Sequence, residues 1–493
     1  MGDEVSSSRF TREERQRYRE KVQLCLDVFE RMLTSPDVTF ESEDPLTGLE
    51  MELNLVGDDF MPSLVNAEVL QEIADPSYQT ELGAYNIELN VEPRQLPDLQ
   101  LLEADLRTSL NAAEKKANGI GASIVMVGIL PTVMSEHLQR EGWMSPSARY
   151  QALNDSILTA RGEDVHLDIH GVERLSTYFQ TLAPESACTS VQLHVQVDPQ
   201  HFAPTWNAAQ VLAGPQVAVG ANSPYFFGRE PCRETRIDLF QQATDTRPPE
   251  LRNQGVRPRV WFGERWVTSI FDLFEENVRY FPALLPEVTD EDPVAVLESG
   301  KAPRLQELRL HNGTIYRWNR PIYAVVDGRP HVRVENRVLP AGPTVIDVVA
   351  NAAFFHGALV ALVGDERPVW SKMTFPTAEE NFNLCHRHGL DATVYWPGLG
   401  EVTVDELVLR RLLPLAHEGL AAAGLAADAR DRYLDVIEQR VKSGRNGAAW
   451  QVATVRALEA RGADRMGALV GMVERYCAGM HSNLPVHTWE IPD

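Results

Sequence analysis

Apolar residues recur along this chain with two distinct periods. Between residues 12 and 33 (REERQRYREKVQLCLDVFERML) they fall at helical spacing, with Val22, Leu26, Val28 and Phe29 near one face. A second helix is predicted over 98–118, closed by Gly119 and Gly121, after which SIVMVGILPT reads as a buried strand. Four further runs alternate with period two. In LEMELNLV, Leu49, Met51, Leu53 and Leu55 oppose Glu50, Glu52 and Asn54. In NIELNVEP, Ile87, Leu89 and Val91 oppose Asn86, Glu88, Asn90 and Glu92. In SVQLHVQVD, Val191, Leu193, Val195 and Val197 oppose Gln192, His194, Gln196 and Asp198. In HVRVENRVLP, Val332, Val334 and Val338 oppose Arg333, Glu335 and Arg337. Residues i and i+2 of a strand share a face roughly 6.5–7 Å apart, so each run predicts a strand with one apolar and one chemically equipped face. Pro340, Gly342 and Pro343 then predict a turn, followed by a buried helix in which Asp347 caps or pairs. From about residue 402 the pattern changes to Leu- and Ala-rich stretches at helical spacing, broken near Gly424 and at SGRNG. This predicts a main domain over 1–400 and a helical C-terminal region over 401–493, packed on it or appended to it. There is no internal repeat and no low-complexity segment.

Composition narrows the function classes. The 493 residues are 44% hydrophobic and 24% charged, ordinary for a folded chain long enough to bury a large core. A formal net charge of −24 argues against a nucleic-acid partner and against docking on anionic lipid, while leaving room for one locally basic nucleotide site. Cys25, Cys188, Cys232, Cys385 and Cys477 are odd in number and contain no CxxC pair, which disfavours a disulfide framework or a cysteine-based zinc centre. The start, MGDEVSSSRFTREERQRYRE, carries no apolar segment of a secretory signal, and no apolar run of about 18 residues predicts a membrane span. A cytoplasmic location is the expectation.

The polar faces carry the chemistry. A solvated strand face usually offers Thr, Lys, Ser and Arg, and each of these strands taken alone fits an antiparallel sheet with one wet face. Together they differ: two offer closely spaced carboxylates without Lys, a third Gln and His, a fourth Arg interleaved with Glu. Carboxylates crowded on one face repel unless a cation lies among them. Mg²⁺ takes oxygen ligands from a few carboxylates plus phosphates and water, and arginine forks complement phosphate oxygens. The residues therefore point to a metal–nucleotide site. No Walker A sequence and no GxSxG occurs. His386 and His388 in CHRHG follow Cys385 at a spacing that fits no standard zinc pattern, and read as loop or helix-end residues.

The ExE strand (Glu50, Glu52), ELGAYNIELN, VQLHV, RVENR and ANSPYFFGREPCRETRIDLF together resemble the glutamate–cysteine ligase family, in its carboxylate–amine ligase branch. The resemblance runs in scattered blocks over residues 46 to 360. It implies an α+β fold with a curved antiparallel β-sheet, the glutamine synthetase-like funnel, flanked by helices. It implies ATP and Mg²⁺ as cofactors, and small-molecule amino acid or amine substrates, with oligomeric state left open. Glu50, Glu52, Glu81, Glu88 and Glu335 match metal ligands. Only the resemblance recommends Glu81, which stands seven residues before Glu88 and so needs a turn near Gly83 to share its face. His194 matches a histidine near metal and nucleotide and is implied both as a metal ligand and as a nucleotide contact, with Gln192 beside it as a further nucleotide contact. Arg337 matches the arginine that meets the transferred phosphoryl group, and Arg236 a substrate- or phosphate-binding arginine. Arg333 is either a nucleotide contact or a structural partner of Glu50 or Glu52. The implied reaction activates a carboxylate, L-glutamate in the family, as an acyl phosphate and joins it to an amine such as L-cysteine. Other substrates, an ATP phosphotransferase and a nucleotide-binding regulator on the same sheet stay open.

Overall fold

The computed structural model describes residues 10–43 and 45–492; the first nine residues of the N-terminal stretch read above lie outside it. Seven strands form one antiparallel sheet: β1 Thr47–Val56, β2 Tyr78–Thr80, β3 Asn86–Arg94, β4 Ser123–Val125, β5 Ser190–Val197, β6 Asn319–Val326 and β7 Arg329–Pro340. Their order is β6-β7-β5-β1-β3-β2, with β4 taking the far end of β1 where β5 has left it. The apolar sides of the four alternating runs face inward: Met51, Leu53, Ile87, Val332 and Val334 are fully buried. The sheet is curved and flanked by helices, the architecture expected from the resemblance.

β6 and β7 form a hairpin closed by Asp327 and Gly328, both at positive φ (50° and 77°). That turn matches the right-handed strand twist and favours Asp-Gly. β7 carries a register shift between Asn336 and Leu339, a bulge that bends the strand at Arg337 and Val338. The expected strand SIVMVGILPT stops at Val125. Beyond it the carbonyls of Met126 and Val127 are taken by the side chains of Tyr476, Asn54 and Thr189, so the ladder cannot continue although the segment stays buried.

Two helices carry the core behind the sheet. Phe202–Gly220 is buried along almost its whole length, and its Gln216 exchanges hydrogen bonds with Asn336 of β7 at 2.8 and 3.1 Å. Val345–Val363 is the predicted helix after the Pro340–Pro343 turn, with Thr344 as its N-cap. It is long and apolar enough to cross a membrane, but 83% of it is buried within this fold. The predicted helices at the chain start and after residue 98 span Arg12–Thr34 and Leu99–Asn118.

The region past 402 is helical, with Leu413–Ala422, Ala427–Ser443, Gly447–Ala460 and Arg465–Ser482 as its main members. Breaks fall at Gly424 (φ 86°) and Gly444 (φ 64°). These helices share the core of the sheet. Arg440 pairs with the fully buried Asp347 at 2.7 Å, and Tyr476 and Gln451 bond Asn222 at 2.7 and 2.8 Å.

Candidate active site

The strand register lays the polar side chains out in rows. Arg320 of β6, Glu335 of β7 and His194 of β5 are cross-strand neighbours. Gln192 of β5, Glu50 of β1 and Asn90 of β3 form the next row. Glu52 and Glu88 then face each other across β1 and β3, with Gln79 of β2 beyond. Glu81 follows β2 directly, where the turn through Gly83 folds the chain back into β3. The hairpin therefore returns Glu81 toward Glu88, although seven residues of unbroken strand would have put them on opposite faces.

This face is polarised. At one end are acids held by neutral donors: Glu52 accepts from the Ser190 N–H at 2.6 Å and from Gln192 Nε2 at 3.0 Å. Burial, with the charge of Glu81 added, raises Glu52 to about 7. Burial and Glu81 also raise Glu88 well above the usual carboxylate range. A further acid, Glu185, stands in the short Ala183–Ala187 turn before β5, and burial together with Glu81 and Glu52 pushes it up to about 8. At the other end arginines dominate. Arg320 grips Glu335 through both Nε (3.1 Å) and Nη2 (2.8 Å), and Arg337 Nη1 joins from the other side at 2.5 Å. Burial would raise Glu335, but Arg320 and Arg337 outweigh it and hold it at about 2. Gln192 bridges the two ends, donating to Glu52 and accepting from Arg337 at 2.5 Å.

His194 and Glu50 lie at the arginine-rich end. Arg333 Nε donates to His194 Nδ1 at 3.0 Å, which leaves the ring proton on Nε2. That nitrogen stands 3.0 Å from Glu50 Oε1 without the alignment of a hydrogen bond. Burial works against the Glu50 charge, but the adjacent His194 N–H dipole and the Arg333 guanidinium favour it and hold Glu50 well below the usual range. Beside these residues opens a cleft of about 860 Å³, walled by Ala324, Val325 and Val326 on one side and reached by Arg329, His194 and Arg333.

Arg236 is the first residue of the Arg236–Ala243 helix and is 3% exposed. Its Nε donates to the fully buried Glu234 at 3.0 Å. Nη1 reaches the Arg337 carbonyl at 3.4 Å, and Nη2 donates to the Val338 carbonyl. Those two carbonyls belong to the β7 bulge, where the sheet ladder is interrupted. Arg236 thus braces the backbone that carries Arg337.

Two members of the face were not read from the sequence. Arg320 had only a weak signal, because the run NRPIYAVV is apolar on both faces from Pro321 onward, and its alternation of buried and half-buried positions shows only in the folded strand. Glu185 had none, because it lies in a turn and only the fold brings it beside Glu52 and Glu81.

Residues 46–475 match glutamate–cysteine ligase family 2 (GCS2). A search of curated proteins returned no match. Among solved structures, glutamate–cysteine ligase from Francisella tularensis in complex with AMP superposes with a TM-score of 0.56 at 13% identity, covering 92% of this chain and 91% of that one. A bifunctional glutathione synthetase from Pasteurella multocida reaches a TM-score of 0.49 at 13% identity, over 88% of this chain and 52% of that one. Identity this low speaks for the fold alone. The family match, which takes in every strand of the polar face and most of the C-terminal helices, says more: the chain belongs to glutamate–cysteine ligase family 2 and is an ATP-dependent carboxylate–amine ligase.

Proposed function

We propose that this ligase phosphorylates the side-chain carboxylate of L-glutamate with ATP and joins it to the amine of L-cysteine. The observation that carries the reading is the polarised face, with Glu52, Glu81, Glu88 and Glu185 at one end and Arg320, Arg333 and Arg337 at the other. A carboxylate is a poor electrophile because its leaving group would be oxide. Its oxygen attacks the γ-phosphorus, ADP departs, and the resulting acyl phosphate is open to the amine. The amine nitrogen then attacks the acyl carbon, phosphate leaves, and the nitrogen loses one proton.

The acid end fits divalent cations. Its donors are all carboxylate oxygens, the preferred ligands of Mg²⁺, and burial with mutual repulsion drives their charged forms uphill until a cation offsets them. Glu52, Glu81 and Glu88 are assigned as principal holders, with Glu50 and Glu335 at the margin because His194 and two arginines already engage them. When bound, the cations would neutralise phosphate charge. Arg337 is assigned to the transferring phosphoryl group, with Gln192 fixing its guanidinium. His194, whose proton lies on Nε2 while Arg333 holds Nδ1, is assigned as a hydrogen-bond donor toward phosphate rather than as a metal ligand. The cleft of about 860 Å³ is assigned to the nucleoside, its aliphatic wall of Ala324, Val325 and Val326 suiting a base and Arg329 and Arg333 its phosphates. Arg236 is reassigned from the reacting groups to positioning Arg337.

The deciding experiment is ADP release over all pairs of amino acids and small amines with Mg²⁺, with mass spectrometry of every product. Release that requires both glutamate and cysteine, with a product lighter than their sum by one water, is expected. Turnover only in pairings without glutamate would reject the substrate assignment. A stable phosphorylated product would identify a phosphotransferase.

A further inference from the structure

Away from the carboxylate face, three side chains converge where the loop preceding Arg236 meets a later helix. Cys232 lies in that loop and Asp238 in the first turn of the Arg236–Ala243 helix. His386 stands in the last turn of the Phe375–His388 helix. Two backbone hydrogen bonds clamp the segments together, Arg233 N–H to the Arg387 carbonyl at 3.2 Å and Glu234 N–H to the His386 carbonyl at 2.8 Å. Cys232 Sγ, an Asp238 carboxylate oxygen and a His386 ring nitrogen lie within 4.8 Å of one another. Cys232 and His386 are 2% and 1% exposed, while the Asp238 side chain is 15% exposed.

Hydrogen bonding leaves this arrangement unexplained. The Cys232 thiol reaches Asp238 Oδ2 at 3.5 Å. His386 Nε2, however, stands 3.9 Å from Asp238 Oδ1, beyond hydrogen-bond range, and Nδ1 is buried without a partner among the described residues. Enclosing an imidazole in this way is costly unless something else binds it. Ligand atoms bonded at roughly 2.0–2.3 Å to one zinc ion stand roughly 3.3–3.7 Å apart; the 3.5 Å between Cys232 Sγ and Asp238 Oδ2 falls in that range, and the 3.9 Å between His386 Nε2 and Asp238 Oδ1 lies just beyond it. Thiolate, imidazole and carboxylate suit Zn²⁺, whereas Mg²⁺ prefers oxygen alone. One thiolate and one carboxylate cancel the charge of Zn²⁺, so the buried site would carry no net charge.

We infer that Cys232, Asp238 and His386 form a zinc site, with a fourth position left to water on the exposed side of Asp238. The ion would tie the Phe375–His388 helix to the segment that supplies Arg236, and so to the bulge beneath Arg337. The CxxC rule does not see such a site because its ligands come from two segments more than a hundred residues apart.

The test uses the full chain, stripped with a chelator and held in excess Mg²⁺ so that oxygen-only sites are filled. Titration with Co²⁺ should give a thiolate-to-cobalt charge-transfer band and tetrahedral visible bands saturating near about one equivalent, bleached by Zn²⁺. Cys232→Ser should abolish the charge-transfer band, His386→Gln should weaken Co²⁺ binding at least about tenfold, and Glu52→Gln should leave the spectrum unchanged. No charge-transfer band in the wild type, or an unchanged one in a folded Cys232→Ser, overturns the site. If Cys232→Ser does not fold, Asp238→Asn decides: a shifted visible spectrum with the thiolate band retained supports the site, and an unaltered spectrum overturns it.

Discussion

At the scale of single residues, the site works by contrast between groups of the same kind. Glu335 and Glu52 are both buried carboxylates, yet two arginines hold Glu335 at about 2 while burial beside Glu81 raises Glu52 to about 7. The arginines divide in the same way. Arg337 touches Gln192 and Glu335 on the polar face, whereas Arg236 spends its donors on Glu234 and on two carbonyls of the bulge. Arg337→Ala should lower kcat by about 10³-fold and cost less stability than Arg236→Gln, because Arg320 still grips the buried Glu335 through two nitrogens. Arg236→Gln should act through structure. It strands the buried Glu234, at a cost on the order of 3–5 kcal/mol. Glu234→Gln combined with Arg236→Gln should recover most of that loss in a denaturant titration. A fully stable Arg236→Gln that is merely inactive would return Arg236 to the reacting groups.

Among the elements, the bulge in β7 and the helix contacts behind it matter most. Asn336 breaks the apolar side of its strand and is fully buried, which is tolerated because Gln216 and Asn319 satisfy its amide at 2.8 to 3.1 Å. Asn336→Ala would leave those partners without their bonds and should cost about 1–3 kcal/mol, seen as a lower denaturation midpoint at unchanged m-value. The helix Val345–Val363 meets Leu413–Ala422 through glycines. A Cβ placed on Gly419 would stand 1.9 Å from the Gly357 carbonyl, so the backbones touch only because neither residue has a side chain. Gly419→Ala should therefore push the helices apart and cost about 1–3 kcal/mol or more, against the usual gain from replacing glycine in a helix.

For the whole molecule, the crowded acids set a pH dependence. Glu52 and Glu185 are raised to about 7 and about 8, so between the unfolded carboxylate value and those values the folded state binds more protons than the unfolded one. Stability of the cation-free chain contributed by these groups is therefore full at low pH and falls as pH rises through that window. Buried histidines work the other way: His311 and His356 are each lowered by burial to about 4, so their contribution is lost as pH falls below the unfolded value near about 6.5. The comparison with Glu52→Gln separates the two, and its melting temperature should exceed that of the wild type by more at pH 8 than at pH 5. Mg²⁺ should stabilise the wild type more at pH 8 than at pH 5, because cation binding requires the deprotonated acids. An equal shift at both values would place the cation elsewhere.

The period-two runs by themselves determined which residues share a face, because side chains of a strand must alternate. Glu50 with Glu52, Gln192 with His194, and Arg333 with Glu335 needed nothing more, and the two long helices near the chain start followed from helical spacing in the same way. Tertiary structure decided how the strands lie side by side. Which carboxylate faces which depends on register, and a shift by one residue would have sent every one of these groups to the opposite face. It also decided what local pattern cannot encode: the hairpin that returns Glu81, the turn that brings in Glu185, the bulge braced by Arg236, and the end of the Ser123–Val125 strand where side chains capture its carbonyls. Alternation is a property of neighbouring residues and is written in the chain. Charge separation across the sheet arises between residues far apart in sequence, and exists only once the core has fixed their strands beside one another.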